Sequence, residues 1–539
     1  MEKNHHFKLF SIIFFTGAVV LSLELLASRI LTPFFGVSLY IWTAILSVTL
    51  IFLAIGYQLG GWLTSKINFK YYEELFFFIP FVSSISIVIS IITYPILLPN
   101  LIKLDLLLGC FIGSALLLAV PLVLMSSLNP ILISIIKSKD DQSSDSRSGL
   151  VLFISTIGSV FGVIFTSLIL IPNLTNFSSL ILNAVFLILY SLIVYFIIGY
   201  SSFKKLKKLF LFLNLLVLIF LLSVLYFKES YLNFFTATKD NSNNTYTLIY
   251  ERPTFYGNLK VVDFKPNNQN DDSFYVLFQN GAIVHEFDKN GNSLSVYTYV
   301  LDSLSQLSSK GNALVLGLGG GIIPKALSRR GYNIDIVEIN TKIFDIAKSF
   351  FLYDKMNAKI FFEDARTHVK TCEKKYSLIV VDLFLSDGVP EHLVTKEFFN
   401  DLNNCLSNDG IIVSNSLMDF TNELALNSVL STYSSVFDNL YYIEQPSTGL
   451  ANLFVVASKK KKLDKELIEF QVTFDYLPKK IKPILADQLR KLKRFERKNL
   501  NNQNILSDEK NNYNTIFAKS VLAYRKLISR TTPSRILIN

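Results

Sequence analysis

Three carboxylates and a run of glycines are the residues of this chain best suited to chemistry. Residues 313–340 read ALVLGLGGGIIPKALSRRGYNIDIVEIN. An apolar run, Ala313–Leu316, meets Gly317, Gly319, Gly320 and Gly321, and a short helical stretch leads to a second apolar run ending in Glu338. Bare glycines let main chain approach a nucleotide, and a carboxylate about 20 residues on can bind ribose hydroxyls. Two more acids close apolar runs in the same way, Asp364 in FFEDAR and Asp382 in LIVVDLF. Alone, each is an ordinary helix cap or surface residue. Together with the glycines they outline a nucleotide pocket.

The elements that must position them are legible. From residue 313 onward, strands are expected at Ala313–Leu316, Ile334–Val337, Lys359–Phe362, Leu378–Val381 and Ile411–Ser414, with a late pair near Leu440–Glu444 and Leu453–Ala457. Their alternation with helical stretches implies an α/β Rossmann-like domain with a mainly parallel, doubly wound sheet. Ligands then bind beyond the carboxyl ends of the strands, where the three acids stand. Upstream, YTLIYERPTFYGNLKVVDF and SFYVLFQNGAIV are separated by turn-rich PNNQNDD, as in a small antiparallel sheet.

Composition divides the 539 residues further. Residues 1–228 are apolar, with seven stretches near 9–32, 39–62, 75–97, 105–127, 149–172, 177–200 and 209–227. Each is about long enough to span a bilayer as a helix of roughly 20 residues. The first is too long for a signal peptide and reads as an uncleaved anchor. Three spans carry GxxxG, at Gly56/Gly60, Gly109/Gly113 and Gly158/Gly162, which lets helices approach closely. Glu24 and Arg29 lie inside the first span but point well apart, so they are not an obvious pair. The expected domains are a transmembrane helical bundle (1–228), a linker with a β-hairpin subdomain (229–298), a nucleotide-binding transferase domain (299–458) and a basic helical tail (459–539).

Charge sorts the partners. Residues 459–539 hold 20 Lys/Arg against 8 Asp/Glu, so the chain's net +10 belongs to the tail. A solvated or lipid-facing basic helix explains this better than nucleic acid. Cys110, Cys372 and Cys405 sit in unrelated contexts, with neither a metal spacing nor a disulfide framework. Five histidines leave little for a zinc site, so no metal is expected. Loop charges favour one side: Lys3, Lys8, Lys66, Lys70, Lys137, Lys139, Arg147, Lys204, Lys205, Lys207 and Lys208 against Lys103 alone. The positive-inside rule puts the N-terminus in the cytoplasm. Seven spans would then place residues after 228 outside, which conflicts with a cytosolic nucleotide, and the side stays open.

These pieces resemble the spermidine synthase (polyamine aminopropyltransferase) family fused to an N-terminal multi-span membrane domain. In the apolar half the likeness rests on LELLASRILTPFFGVSLYIWTAILSVTLIFLAIGYQLGGWL and GSVFGVIFTSLILIP. In the other half it rests on ERPTFYGNLKVVD, QNGAIV, VLGLGGGIIPKAL, VEIN, EDAR, VVDLF and VPEHLVTKEFF, with a late echo in ILSDEK. The resemblance implies transfer of an aminopropyl group from decarboxylated S-adenosylmethionine, a co-substrate and not a resident cofactor, to a small amine. By the same likeness Gly317, Gly319, Gly320 and Gly321 line the nucleoside–sulfonium site, Glu338 binds the ribose, Asp364 and Ala365 recognise adenine, and Asp382 receives the amine proton. Tyr297, Asn280 and Asp387 fall at substrate-binding positions.

Several family positions differ. The family's Gly-Gly-Gly-Asp-Gly-Gly becomes Gly319-Gly320-Gly321-Ile322-Ile323-Pro324, its Leu-Asp-Gly becomes Gln279-Asn280-Gly281, and its Tyr-His-Glu becomes Tyr297-Thr298-Tyr299. The second acid after the fourth strand, Asp387, stands farther from Asp382 than in the family and has no adjacent proline. The nucleoside half is thus better kept than the amine half. Two other readings stand beside aminopropyl transfer: an S-adenosylmethionine-dependent methyltransferase on the same scaffold, and a non-catalytic nucleoside- or polyamine-sensing domain on a transporter-like bundle. The expected setting is a bacterial inner or cell membrane. The expected partners are the bilayer and a small amine, no nucleic acid, and a homodimer as one option.

Overall fold

The computed structural model describes residues 2–137, 144–198, 204–268, 271–351, 358–384, 388–445, 449–460, 462, 477–496 and 505–539. Asp387 lies outside them, as does much of the amphipathic stretch after residue 462. The chain forms two compact units. One comprises Met1–Asp240 with Arg252–Asn258 and Ser529–Asn539, the other Asn241–Glu251 with Leu259–Ile528.

Among the described residues, the first unit holds seven helices long and apolar enough to cross a membrane: Leu9–Phe35, Leu39–Lys66, Phe69–Leu101, Leu106–Lys137, Ser148–Asn173, Asn176–Phe196 and Lys208–Tyr226. The GxxxG pairs lie where these helices touch. A methyl group on Gly158 or Gly162 would overlap the carbonyl oxygens of Phe14 and Ala18. On Gly56 it would press on the Val123 carbonyl, on Gly60 on that of Ser127, and on Gly109 and Gly113 on Phe35 and Leu31. Small residues one turn apart thus bring backbones into direct contact. Beside this seam Thr166 donates to Ser22 across 2.7 Å. Arg29 has no bond to Glu24; it donates to the carbonyls of Thr254 and Phe255 at 2.8 and 3.1 Å.

The second unit is organised by two sheets. The first runs in the order β1 (Thr245–Thr254), β2 (Gly257–Lys265), β3 (Phe274–Gln279), β4 (Ala282–Phe287). Asn280 and Gly281 take φ of 49° and 78°, the left-handed pair that a two-residue hairpin turn between β3 and β4 requires. The second sheet has eight strands: β5 (Asn312–Leu316), β6 (Asn333–Val337), β7 (Ala358–Phe361), β8 (Tyr376–Val381), β9 (Leu406–Asp419), β10 (Asn439–Ile443), β11 (Leu450–Ser458) and β12 (Leu492–Arg494), in the order β12-β10-β11-β9-β8-β5-β6-β7.

Strands β5 to β9 pair in parallel, and β9–β11, β11–β10 and β10–β12 are antiparallel. The parallel set matches the sequence expectation, and the antiparallel edge ends in a strand supplied by the tail. Alternate residues serve opposite layers. Ala313 and Val315 join one apolar core with Leu327 and Ile346, while Leu314 and Leu316 join another with Phe398 and Val429. Each buried Val, Leu, Ile or Phe among them contributes about 1.5–3 kcal/mol by leaving water, which holds helices on both faces and fixes the strand ends.

One cysteine expectation is corrected. Cys372 and Cys405 lie sulfur to sulfur as a disulfide pair, with Cα atoms 5.8 Å apart. Spacing could not reveal this, because helix Ala365–Lys370 and helix Lys396–Cys405 pack side by side and bring together residues 33 apart.

Candidate active site

The chain leaves β5 toward β6 on one side and leaves its other neighbour, β8, toward β9 on the opposite side, which makes the carboxyl ends of β5 and β8 the topological switch point. Gly317 and Asp382 meet there. Asp382 N–H donates to the Leu316 carbonyl across 2.9 Å, and Gly317 N–H to that of Val337 across 2.8 Å. Gly317 has φ 95°, and a side chain on it would drive into the Asp382 carbonyl oxygen. Gly319, at φ 51°, opens onto free space. Gly320 is covered by the ring of Phe351, and Gly321 caps helix Ile322–Arg329. Ile322 and Ile323, which replace the family's Asp-Gly, are buried in the core.

Glu338 lies just past β6. Its two carboxylate oxygens accept from Leu318 N–H at 3.0 Å and Asn340 N–H at 2.8 Å. These bonds anchor the acid to the glycine turn. Burial outweighs them and raises its pKa above the usual carboxylate value.

Asp364 is the N-cap of helix Ala365–Lys370, accepting from Thr367 N–H at 2.9 Å. Its other oxygen lies 3.7 Å from His392 Nε2. Beside it Ala365 is buried, and Arg366 donates to Asp508 at 2.8 Å and to the His392 carbonyl at 3.0 Å. Two separate sequence pieces, EDAR and ILSDEK, therefore close on each other through one ion pair.

Asp382 is partly buried just past β8. Asn415, on β9, donates from Nδ2 to its Oδ1 across 2.9 Å, and Asn452, on β11, donates to Asn415 Oδ1 across 2.8 Å. Burial pushes the carboxyl up to about 6, against the opposing pull of the Asn415 bond. Such an acid is ionised at neutral pH yet basic enough to accept a proton.

Tyr297 stands in the first turn of helix Val296–Ser305. Its phenol is held well above its ordinary pKa, first by burial and then by the negative charge of Asp382. The hydroxyl is 3.0 Å from His285 Nδ1 on β4. A buried ion pair steadies this helix: Arg330 donates to Asp302 at 2.9 and 2.7 Å, tying it to the end of the glycine-loop helix.

The fold thus gathers Gly317, Gly319, Glu338 and Asp382 at the switch point. Asp364 and Ala365 follow the next strand outward, and Tyr297 lies within reach of the field of Asp382. Asn280 serves the hairpin turn, with its carbonyl held by Arg525 Nη1 at 2.7 Å. Three contributors were missed in the sequence. Asn415 and Asn452 carry no motif, though Asn415 follows the expected end of its strand. His285 directly follows QNGAIV, a piece already singled out.

Comparison with known proteins shows what the segment carrying this arrangement is similar to. Residues 295–467 match the spermine/spermidine synthase domain. This part of the chain is a spermine/spermidine synthase domain. The chain is 34% identical over 139 residues to a polyamine aminopropyltransferase of Vibrio vulnificus, covering 25% of this chain and 46% of that protein. It is 29% identical over 135 residues to one of Thermoplasma acidophilum, covering 24% and 50%. An N-terminal histidine N-methyltransferase of Emericella nidulans is 34% identical over 130 residues, 23% of each chain. The chain spans about half the length, or less, of the curated relatives it matches. Among solved structures, a spermidine synthase of Thermotoga maritima aligns with TM-score 0.35 and 15% identity over 46% of this chain and 92% of that one.

Proposed function

We propose that the chain is a membrane-anchored aminopropyltransferase that moves the aminopropyl group of decarboxylated S-adenosylmethionine to an amine, with Asp382 taking the amine proton. One observation carries this reading: a partly buried carboxyl, raised to about 6, stands at the strand switch point within the matched domain. The sulfonium activates its neighbouring carbon. The amine nitrogen forms a new C–N bond there as the C–S bond breaks, methylthioadenosine leaves, and the proton lost by nitrogen passes to Asp382. An alkylammonium cannot attack until it loses that proton, so a carboxylate that first holds the cation serves both steps. Holding donor and acceptor end to end supplies much of the remaining rate.

In this reading Glu338 engages the ribose, Asp364 and Ala365 the adenine edge, and Gly319 the donor beside the open main chain. Tyr297, Asn280 and Asp387 belong to the acceptor side, and the seven apolar helices anchor the chain in a bilayer. The deciding experiment incubates detergent-purified protein with decarboxylated S-adenosylmethionine and a panel of mono- and diamines, and follows methylthioadenosine by mass spectrometry. Formation that needs both the amine and Asp382 is expected. Methylation from S-adenosylmethionine instead would favour the methyltransferase reading, to which the fungal histidine methyltransferase match lends some support. Nucleoside binding without turnover would favour a sensor.

A further inference from the structure

His285 has no part in the chemistry so far, yet its surroundings are specific. The side chain is 1% exposed, on β4, with its ring among Phe287, Tyr297 and Phe351 at centroid distances of 6.3, 5.7 and 5.2 Å. Phe351 is the ring that covers Gly320, so the imidazole sits directly behind the glycine turn. Burial holds its pKa down to about 3, so the ring is neutral and carries a single N–H. Nδ1 faces the Tyr297 hydroxyl, while Nε2 is buried with no hydrogen-bond partner among the described residues.

That asymmetry selects a tautomer. A buried N–H with no acceptor is rarer and costlier in proteins than an acceptor left without a donor. The single proton therefore belongs on Nδ1, where Tyr297 oxygen accepts it, and Nε2 keeps its lone pair in the apolar cage. The Tyr297 oxygen, engaged as an acceptor by His285, then directs its own O–H elsewhere. The charge that acts on it is that of Asp382.

We propose that His285 is a positioning residue: through an Nδ1–H bond it engages the Tyr297 oxygen as an acceptor and so frees the Tyr297 hydroxyl proton for the acceptor site. The proposal rests on the aminopropyltransferase reading for its effect on rate, but not for the tautomer. Tyr297 touches the acceptor in this scheme, and His285 acts only through Tyr297.

Two measurements on the full-length protein in detergent test it. The first is selective ¹⁵N-histidine labelling, with the His285 signal assigned by its loss in His285→Asn. A neutral ring protonated at Nδ1 is expected from pH 5 to 8, and a ring protonated at Nε2, or one that titrates in that range, overturns the proposal. This readout stands whether or not turnover is found, so it separates failure of this idea from failure of the functional reading. The second is a double-mutant cycle. His285→Ala and Tyr297→Phe should each lower kcat by about tenfold, leave the KM for the donor unchanged, and combine with no further loss. His285→Asn, whose amide N–H can occupy the place of Nδ1–H, should restore at least half the rate. Multiplicative losses, or an Asn variant no better than Ala with the same melting temperature, overturn it.

Discussion

Asn415 Nδ2 lies 2.9 Å from Asp382 Oδ1 and is itself oriented by Asn452, so one carboxylate oxygen is committed to the protein while the other has no hydrogen bond among the described residues. Rate should therefore report the ionisation of Asp382. The acidic limb of kcat/KM for methylthioadenosine formation is expected near pH 6, the value to which burial brings this acid. Asp382→Asn should remove turnover while methylthioadenosine still binds.

Replacing Asn415 by Leu removes a donor that favours the charged form. Hydrogen bonds to charged groups contribute about 1.5–3 kcal/mol, and partial exposure of the acid reduces this toward roughly one pH unit. The acidic limb should move upward by about that much. A limb that stays near 6 would show that another group controls the rate. The sign for stability follows the same shift: a carboxyl raised on folding favours the native state below its unfolded pKa, and that contribution is lost as pH rises through about 6. Asp382→Asn should therefore raise the melting temperature at pH 7.5 more than at pH 4.5.

Gly317 and Gly319 differ in a testable way. Gly317→Ala must both accept φ 95° and displace the Asp382 carbonyl, whereas Gly319→Ala faces free space at φ 51°. Strain of this kind costs about 1–3 kcal/mol per residue. Calorimetry should show Gly317→Ala clearly the worse folded, and Gly319→Ala nearly stable but weaker for nucleoside.

Asp302 is 1% exposed and paired with Arg330 through two hydrogen bonds. Removing one partner of a buried pair costs about 3–5 kcal/mol. Asp302→Ala should lower the unfolding free energy from denaturant titration by that order, and Asp302→Asn by less. Loss of the pair also loosens the helix that carries Tyr297, so acceptor KM should rise before donor KM does.

Gly158→Val and Gly162→Val put side chains into the backbone of the first helix. Both are expected to abolish a monodisperse peak in detergent, while Gly149→Val, at a position with nothing within 4 Å, should elute normally.

Much of this was legible in the sequence, and for identifiable reasons. The strand–glycine–helix–strand–acid series from Ala313 to Glu338 is local, so its period and turn residues suffice to place it. GxxxG marked real helix contacts because it encodes a distance of closest approach. Contacts between distant segments were not legible. Asn415, Asn452 and Cys405 reach their partners only through strand order and helix packing, and Arg366 finds Asp508 from 142 positions away. His285 escaped notice because a lone histidine in a strand is usually just core, and only its neighbours give it a direction.

Arg535 pairs with Glu229, Arg535 N–H donates to Ala237, and Phe177 N–H to the Asn539 carbonyl, all within the first compact unit. Residues 529–539 are made some three hundred positions after the final apolar helix. The helical unit therefore waits, incomplete, while the sheet-bearing unit is translated, and a premature stop after residue 528 would harm the helical unit as well.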